Sequence, residues 1–259
     1  MFPKIIHQTY KDHNIPNKWK LSPIMWKKYH PDYKYMFWTD NDIREYIKKN
    51  YPQYLKIHDN YKYNIQRADF IRYFILYDFG GIYSDLDLYP IENIEPHLEY
   101  NTDVLLVKSG NAQNYLTNSL MISKKGAKLW EKVHQQLRKP IPFYAIGRHW
   151  EVMLSTGPLM LTEVCFKKEN EKLYKLLPNE KFMAYTTYDD IKKIKKGAIL
   201  IPLEGQSWNG IDSHVYNFMN KNKYNIVIII ILIIVIILLV LYRKKIKKGL
   251  RGLMKKFRS

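Results

Sequence analysis

The feature that most restricts this 259-residue chain is an unbroken run of sixteen Ile, Val and Leu residues at positions 226–241, bracketed by Asn225 and Tyr242. As a helix it extends about 24 Å at roughly 1.5 Å per residue, a little under the roughly 30 Å hydrocarbon core of an average bilayer. Tyr224 and Tyr242 can act as interfacial anchors and make up most of the difference. Core elements seldom run so far without a polar side chain, and a strand this apolar would aggregate. The run therefore predicts one membrane-spanning helix over residues 224–242. It divides the chain into a large domain at 1–223 and a tail at 243–259.

The tail accounts for much of the charge. The chain carries 42 Lys+Arg against 24 Asp+Glu, a formal net charge of +18, and nine of those bases lie in residues 243–259 with no acid among them. Half of the excess thus follows the apolar run, where bases meet anionic lipid, and is not spread over a surface built for nucleic acid. No nucleic-acid partner is expected. By the positive-inside rule the tail faces the cytoplasm, which would put residues 1–223 on the far side. The opening residues 1–8 (Met-Phe-Pro-Lys-Ile-Ile-His-Gln) show no basic n-region followed by an apolar h-region, so nothing marks the domain for early export. The two arguments conflict; the second predicts insertion after synthesis and a cytosolic domain. Cys165 is the sole cysteine, which excludes an intramolecular disulfide and a thiolate zinc cluster.

Residues 1–223 hold no repeat and no Gly/Ser linker, and read as one α/β domain. Strands are expected at 4–8 and 33–38, then a helix entered at Thr39-Asp40 and running through Lys49. A second helix at 65–79 places Ala68, Ile71 and Ile75 on one face and stops at Gly80-Gly81. A strand follows at 82–84, with further strands at 104–108, 120–123 and 199–203. Helices are expected at 127–137 and from Thr156-Gly157-Pro158 to about residue 168. This alternation predicts a mainly parallel sheet covered on both faces.

The chemistry concentrates in residues 67–88. If the backbone there stays extended, Asp85 and Asp87 share one face while Leu86 and Leu88 turn to the core. Neighbouring carboxylates repel unless a cation lies between them, and hard divalent ions such as Mn2+ or Mg2+ prefer oxygen donors of this kind. Such ions commonly join a protein to a phosphate-bearing substrate. The same spacing recurs at Asp40-Asn41-Asp42, where it reads as a helix start with first-turn acids. Asp69 and Arg72, three apart on a helix, either form an ordinary surface ion pair or project toward Asp85.

Three stretches carry a resemblance: residues 3–10 (Pro-Lys-Ile-Ile-His-Gln-Thr-Tyr), 35–40 (Tyr-Met-Phe-Trp-Thr-Asp), and 68–87, built on Ala-Asp-x-x-Arg-Tyr and Gly-Gly-x-Tyr-x-Asp-x-Asp. Together they resemble the DXD-containing sugar-binding region of a glycosyltransferase family. That family includes fungal initiating α-1,6-mannosyltransferases, inositol phosphoceramide mannosyltransferases and bacterial capsule enzymes. The likeness is specific over about residues 1–90 and looser to about 215. It implies a GT-A-type fold and transfer of a hexose from a UDP- or GDP-sugar to a hydroxyl of a glycan or lipid-linked acceptor, with retention of configuration. It further implies that Asp85 and Asp87 bind Mn2+ or Mg2+, and that Asp69 and Arg72 hold the donor sugar. His7, Gln8 and Tyr10 would meet the nucleotide, Tyr10 standing where the family usually has Trp. Ser207 and Trp208 would lie at the diphosphate.

One departure concerns the end of the domain. Family members often carry histidines shortly before the Ser-Trp pair, whereas here Glu204-Gly-Gln precedes Ser207-Trp208 and the nearest histidine, His214, lies downstream. His214 is either a further metal ligand or a structural residue. Two rival readings stand beside the glycosyltransferase. A metal-dependent phosphotransferase or nuclease needs more acids around Asp85 and Asp87, and a non-catalytic membrane-tethered binding protein draws support from the tail alone.

Overall fold

Short apolar runs separated by amphipathic stretches fold into strands and helices in the order the pattern suggests. The computed structural model describes residues 1–109, 115–182 and 197–203, together with 205, 222, 225 and 231–234. It divides into two units, Met1–Trp208 and Asn209–Ser259.

In the first unit, β1 (Ile5–Thr9) leads to α1 (Leu21–Tyr29), which buries Trp26, and then to β2 (Lys34–Trp38). α2 (Asp40–Asn50) begins at Thr39, whose hydroxyl accepts from the Asp42 N–H while the Asp42 carboxylate accepts from the Thr39 N–H. That reciprocal cap satisfies donors that a helix start otherwise leaves open. α3 (Pro52–Asn60) opens on proline, which lacks the N–H that would have no partner there. α4 (Asn64–Phe79) is buried on every side from Asp69 to Leu76 and forms the central helix. It stops at Gly80-Gly81, with φ of 64° and 91°; a Cβ on Gly80 would lie 2.7 Å from the Lys125 nitrogen, so no side chain fits.

β3 (Gly81–Ser84), β4 (Leu88–Pro90), β5 (Val104–Lys108) and β6 (Leu116–Ser123) follow. Then come α5 (Lys128–Leu137), α6 (Gly147–Ser155), α7 (Pro158–Cys165), β7 (Lys175–Leu176), α8 (Asn179–Phe182) and β8 (Leu200–Pro202). Among the described residues the main sheet has the order β2-β1-β3-β6-β5-β7. β1 runs parallel to β2 and β3, and β5 to β7, but β6 is antiparallel to both β3 and β5. The sheet is therefore mixed, and the expectation of a mainly parallel one is corrected. Residues 109–115, which join β5 to β6, are too few for the crossover that a parallel pair requires. The late strand, β8, pairs with β4 in a separate two-stranded sheet.

Both faces of the main sheet are covered. Trp38, Tyr83, Leu106 and Met121 pack with residues of α4, α5 and α7. On the other face Ile6, Ile82, Leu105 and Ile122 pack with Trp26, Leu88, Phe182 and Leu200. In the second unit, residues 231–234 are helical and each side chain is half exposed. Among the described residues no helix is long and apolar enough to cross a membrane, and most of the run at 226–241 lies outside them.

Candidate active site

Strand β6 decides where the carboxylates go. Leu106 pairs with Met121, but the next residue, Val107, pairs with Thr117, leaving Asn118, Ser119 and Leu120 without a partner on β5. The bulge is held by Thr117, whose hydroxyl accepts from the Ser119 N–H at 3.2 Å and lies 2.8 Å from the Ser119 hydroxyl. It frees two carbonyls for other work. Ser119 C=O accepts the Asp85 N–H at 2.8 Å, and Asn118 C=O accepts from Arg72 Nη1 at 2.7 Å.

Past Ser84 the chain leaves the ladder. Asp85-Leu86-Asp87 form a turn into β4, closed by the Leu88 N–H donating to Asp85 C=O at 3.2 Å. The extended backbone expected here is thus corrected to a turn. Leu86 (5% exposed) and Leu88 (0%) still anchor it in the core, as expected, and the two carboxylates remain at the C-terminal end of β3.

Asp69 and Arg72 resolve into the second of their two readings. Arg72 Nη2 lies 2.7 Å from Asp69 Oδ1 and Nη1 lies 3.3 Å from Asp85 Oδ1, with the Arg72 and Asp69 side chains only 2% and 6% exposed. The guanidinium also donates from Nε to Ala68 C=O and lies over the Tyr83 ring, 4.6 Å from its centroid. Tyr83 OH in turn donates to Asp85 Oδ1 at 2.9 Å. Asp85 is therefore gripped by one cation and one hydroxyl, and Arg72 is the strut between α4 and the turn.

The charges do not balance: Asp69, Asp85 and Asp87 surround one guanidinium. Burial pushes the Asp69 carboxyl up to about 7 despite the charge of Arg72. Burial raises Asp85 as well, against the opposing pull of Arg72 and Tyr83. Asp87 is pushed up to about 7 by burial and then by the charge of Asp85, with Arg72 and Lys18 opposing more weakly. Burial acts against a charged Arg72, but Asp85, Tyr83 and Asp69 outweigh it and hold the guanidinium above its ordinary range. Asp87 Oδ1 is buried without a hydrogen-bond partner. An unpartnered carboxylate oxygen beside a second carboxylate is a fit for a hard divalent cation. Among the described residues no group of three or more His, Cys, Asp or Glu converges to hold a metal. The pair would thus supply part of a coordination shell, leaving places for ligand oxygens.

The residues of β1 divide by face. His7 is fully buried, its Nε2 donating to Gly80 C=O at 2.9 Å and its Nδ1 accepting from Trp38 Nε1 at 3.3 Å. Both ring nitrogens are committed inside the fold, and burial lowers its pKa to about 4, so it braces the Gly-Gly turn as a neutral ring. Gln8 is also fully buried: its amide donates to Ser22 Oγ and Asp85 C=O, and its carbonyl accepts from Tyr35 OH at 2.7 Å. It positions the backbone of the carboxylate turn. Tyr10, at the end of β1, meets Trp19 edge-on at 5.7 Å, and Lys18 Nζ lies 4.8 Å above the Trp19 ring. Ser207, Trp208 and His214 lie outside the described residues. Tyr83, Ser119, Lys18 and Trp19 were not anticipated; only Tyr83 carried a signal, since it stands within the Gly-Gly-x-Tyr-x-Asp-x-Asp string.

The arrangement is that of a strand-end acidic turn braced by a buried arginine, and its sequence is similar to a known family. Residues 16–106 match the family model for the glycosyltransferase sugar-binding region containing a DXD motif. Over those residues the chain is similar to the sugar-binding region of that glycosyltransferase family. It is 42% identical over 163 residues to inositol phosphoceramide mannosyltransferase 3 of Schizosaccharomyces pombe, covering 62% of this chain and 44% of that one. It is 33% identical over 235 residues to inositol phosphoceramide mannosyltransferase 2 of the same yeast, covering 88% of this chain and 64% of that one. The chain thus spans only about half of the length of these relatives. Among solved structures, the PaToxG glycosyltransferase matches with a TM-score of 0.48 and 18% identity, over 64% of this chain and 69% of that one, too distant to bear on the chemistry.

Proposed function

We propose that residues 1–223 are a metal-dependent glycosyltransferase domain of GT-A type. It moves a hexose, mannose by analogy with the named relatives, from a nucleoside diphosphate sugar to a hydroxyl of a glycan or an inositol-bearing sphingolipid. The observation that carries this reading is the turn at Asp85–Asp87, strutted by Arg72 and lying within the matched sugar-binding region. Mn2+ or Mg2+ held by Asp85 and Asp87 would supply Lewis acidity to the departing diphosphate. The chain's own groups do the rest. Arg72 fixes Asp69 and Asp85 relative to each other, Asp69 accepts from hydroxyls of the donor sugar, and Tyr10, backed edge-on by the buried Trp19, offers aromatic surface to the base. Gln8 keeps the turn at the end of β1. His7 acts beneath the site and does not touch the nucleotide. Ser207 and Trp208 would complete the diphosphate end.

Retention follows in this reading from attack on the same face as the leaving group, because no unengaged nucleophile stands beside the pair among the described residues. The domain is tethered by a single span at 224–242, with the basic tail at 243–259 and the catalytic part in the cytosol. In support of the span, the four successive helical residues at 231–234 are all apolar and each is half exposed. The test uses the full chain in detergent with Mn2+ and a panel of GDP- and UDP-sugars. Donor hydrolysis and transfer are expected with one nucleotide class and are expected to vanish in Asp85→Asn. If that variant keeps full activity, the reading fails.

A further inference from the structure

Between α5 and α6 the chain exposes apolar rings to water. Phe143 is 96% exposed, Ile146 78% and Tyr144 60%. They are not on a loose strand of chain: the Ala145 N–H donates to Pro142 C=O and the Ile146 N–H to Tyr144 C=O, both at 2.9 Å, which makes a tight turn with Phe143 and Tyr144 at its apex. A rigid apex of this kind holds its rings out of the core, where they gain nothing from burial. From residue 138 to 150 the sequence has three bases, Arg138, Lys139 and Arg148, and no acid. Two of them are anchored at the base of the turn, Arg138 over the Tyr54 ring at 5.7 Å and Arg148 over the Tyr63 ring at 5.3 Å.

Aromatic and aliphatic side chains at a tip, with cations set behind them, match the boundary between acyl chains and anionic headgroups. The same chain carries sixteen consecutive apolar residues at 226–241, which gives it a reason to be at a bilayer. We propose that the turn at residues 141–146 inserts into an anionic lipid surface and orients the catalytic unit on it. α6 gives this contact a route to the site. It starts directly after the turn, and its far end is fastened to α4, where Gln66 Nε2 donates to Ser155 Oγ and Tyr73 OH donates to Thr156 C=O, each at 2.8 Å. Gln66 and Tyr73 flank Asp69 on that helix, and nine residues of helix span about 14 Å. A lipid whose tails meet the turn would present its headgroup near Asp69. That last step rests on the glycosyltransferase reading with a lipid-borne acceptor; insertion of the turn does not.

Cys165 is fully buried, so an environment-sensitive maleimide dye placed by Phe143→Cys labels the apex selectively. A control label goes on Lys128→Cys, exposed at the opposite end of α5. The full chain is reconstituted in nanodiscs of phosphatidylcholine with or without phosphatidylserine. The apex dye is expected to brighten about twofold or more and to resist aqueous iodide when phosphatidylserine is present, while the control stays quenched. Equal quenching at both positions in both lipids overturns the proposal. So does shielding that follows protein concentration and not lipid charge, which would assign the turn to a second copy of the chain. In a second measurement, Phe143→Ser with Ile146→Ser is expected to weaken transfer to a disc-borne acceptor about tenfold through KM and to leave donor hydrolysis unchanged. Absence of donor hydrolysis in the unmodified chain would count against the enzyme reading alone, with the dye measurement still deciding the insertion.

Discussion

Asp40-Asn41-Asp42 and Asp85-Leu86-Asp87 share one spacing, and burial raises Asp40 as it does the second pair, but the triplets differ at their closing acid. In the first triplet Asp42 is exposed and closes a reciprocal cap with Thr39, whose hydroxyl and then backbone N–H lower its pKa. In the second, burial raises both carboxyls, and Asp87 Oδ1 has no partner. The first is a finished structural device and the second an unfinished one. What separates them is the company each keeps: an exposed Asn41 against a buried Leu86, and the absence or presence of a buried arginine on the preceding helix. A pair of acids means a site only where the fold has left its charge uncompensated.

Activity should separate the triplets most. Asp85→Asn or Asp87→Asn is expected to cut transfer by about a thousandfold, near 4 kcal/mol of transition-state stabilisation, while Asp42→Asn stays within about twofold. Steady-state kinetics at saturating Mn2+ would check this; comparable losses at Asp42 would erase the distinction. Next in size is the strut. Arg72→Met strands the buried Asp69 carboxylate and takes the cation from Asp85, and should cost about 3–5 kcal/mol in urea denaturation. Arg44→Met, which breaks the exposed Arg44–Asp59 pair of 2.8 Å, should leave the urea midpoint nearly unchanged.

Acid should attack the two regions at different pH. His7, beneath the second triplet, and His134, stacked on Phe74 at 3.9 Å, are both lowered by burial from 6.5 to about 4. A pKa depressed on folding gives stability that is complete above the unfolded value and lost as pH falls toward the folded one. Each histidine should therefore withdraw about 2 kcal/mol by pH 5. Asp42 obeys the same sign rule, but its window lies below 3.8, so the cap survives where His7 is already failing. Amide exchange at pH 7 and pH 5 should show α2 still protected while the Gly80-Gly81 turn opens; simultaneous loss would refute the ordering. A modest effect belongs to the cap itself: Asp42→Asn should lower stability by about 1 kcal/mol with activity intact.

Much of this organisation could be read along the chain. The Thr39 cap, the Gly80-Gly81 stop and the strand beginning at Gly81 fall within a residue or two of expectation, because each rests on a local rule of backbone geometry. α1, α3 and α6 were not anticipated. α1 carries Pro23 and lysines on a weakly apolar face, and has no side-chain cap. α6 opens on Gly147 without a side-chain cap either, so its existence depends on what it packs against. The role assigned to His7 changed for the same reason. A histidine on the first strand looks like a nucleotide contact until its partners, Gly80 C=O and Trp38 Nε1, are brought to it by distant segments.

The sequence by itself determined most strands of the main sheet, the helices at 40–50 and 64–79, the anchor of the acidic turn through Leu86 and Leu88, and the apolar run at 226–241, since periodicity, glycine and uninterrupted hydrophobicity act over a few neighbouring residues. Only the tertiary structure decided that β6 runs antiparallel and bulges at Asn118 and Ser119, that Arg72 joins Asp69 to Asp85, and that one oxygen of Asp87 is left without a partner. Those outcomes depend on which distant groups meet in low dielectric, where the electrostatic balance among a few residues outweighs any local preference.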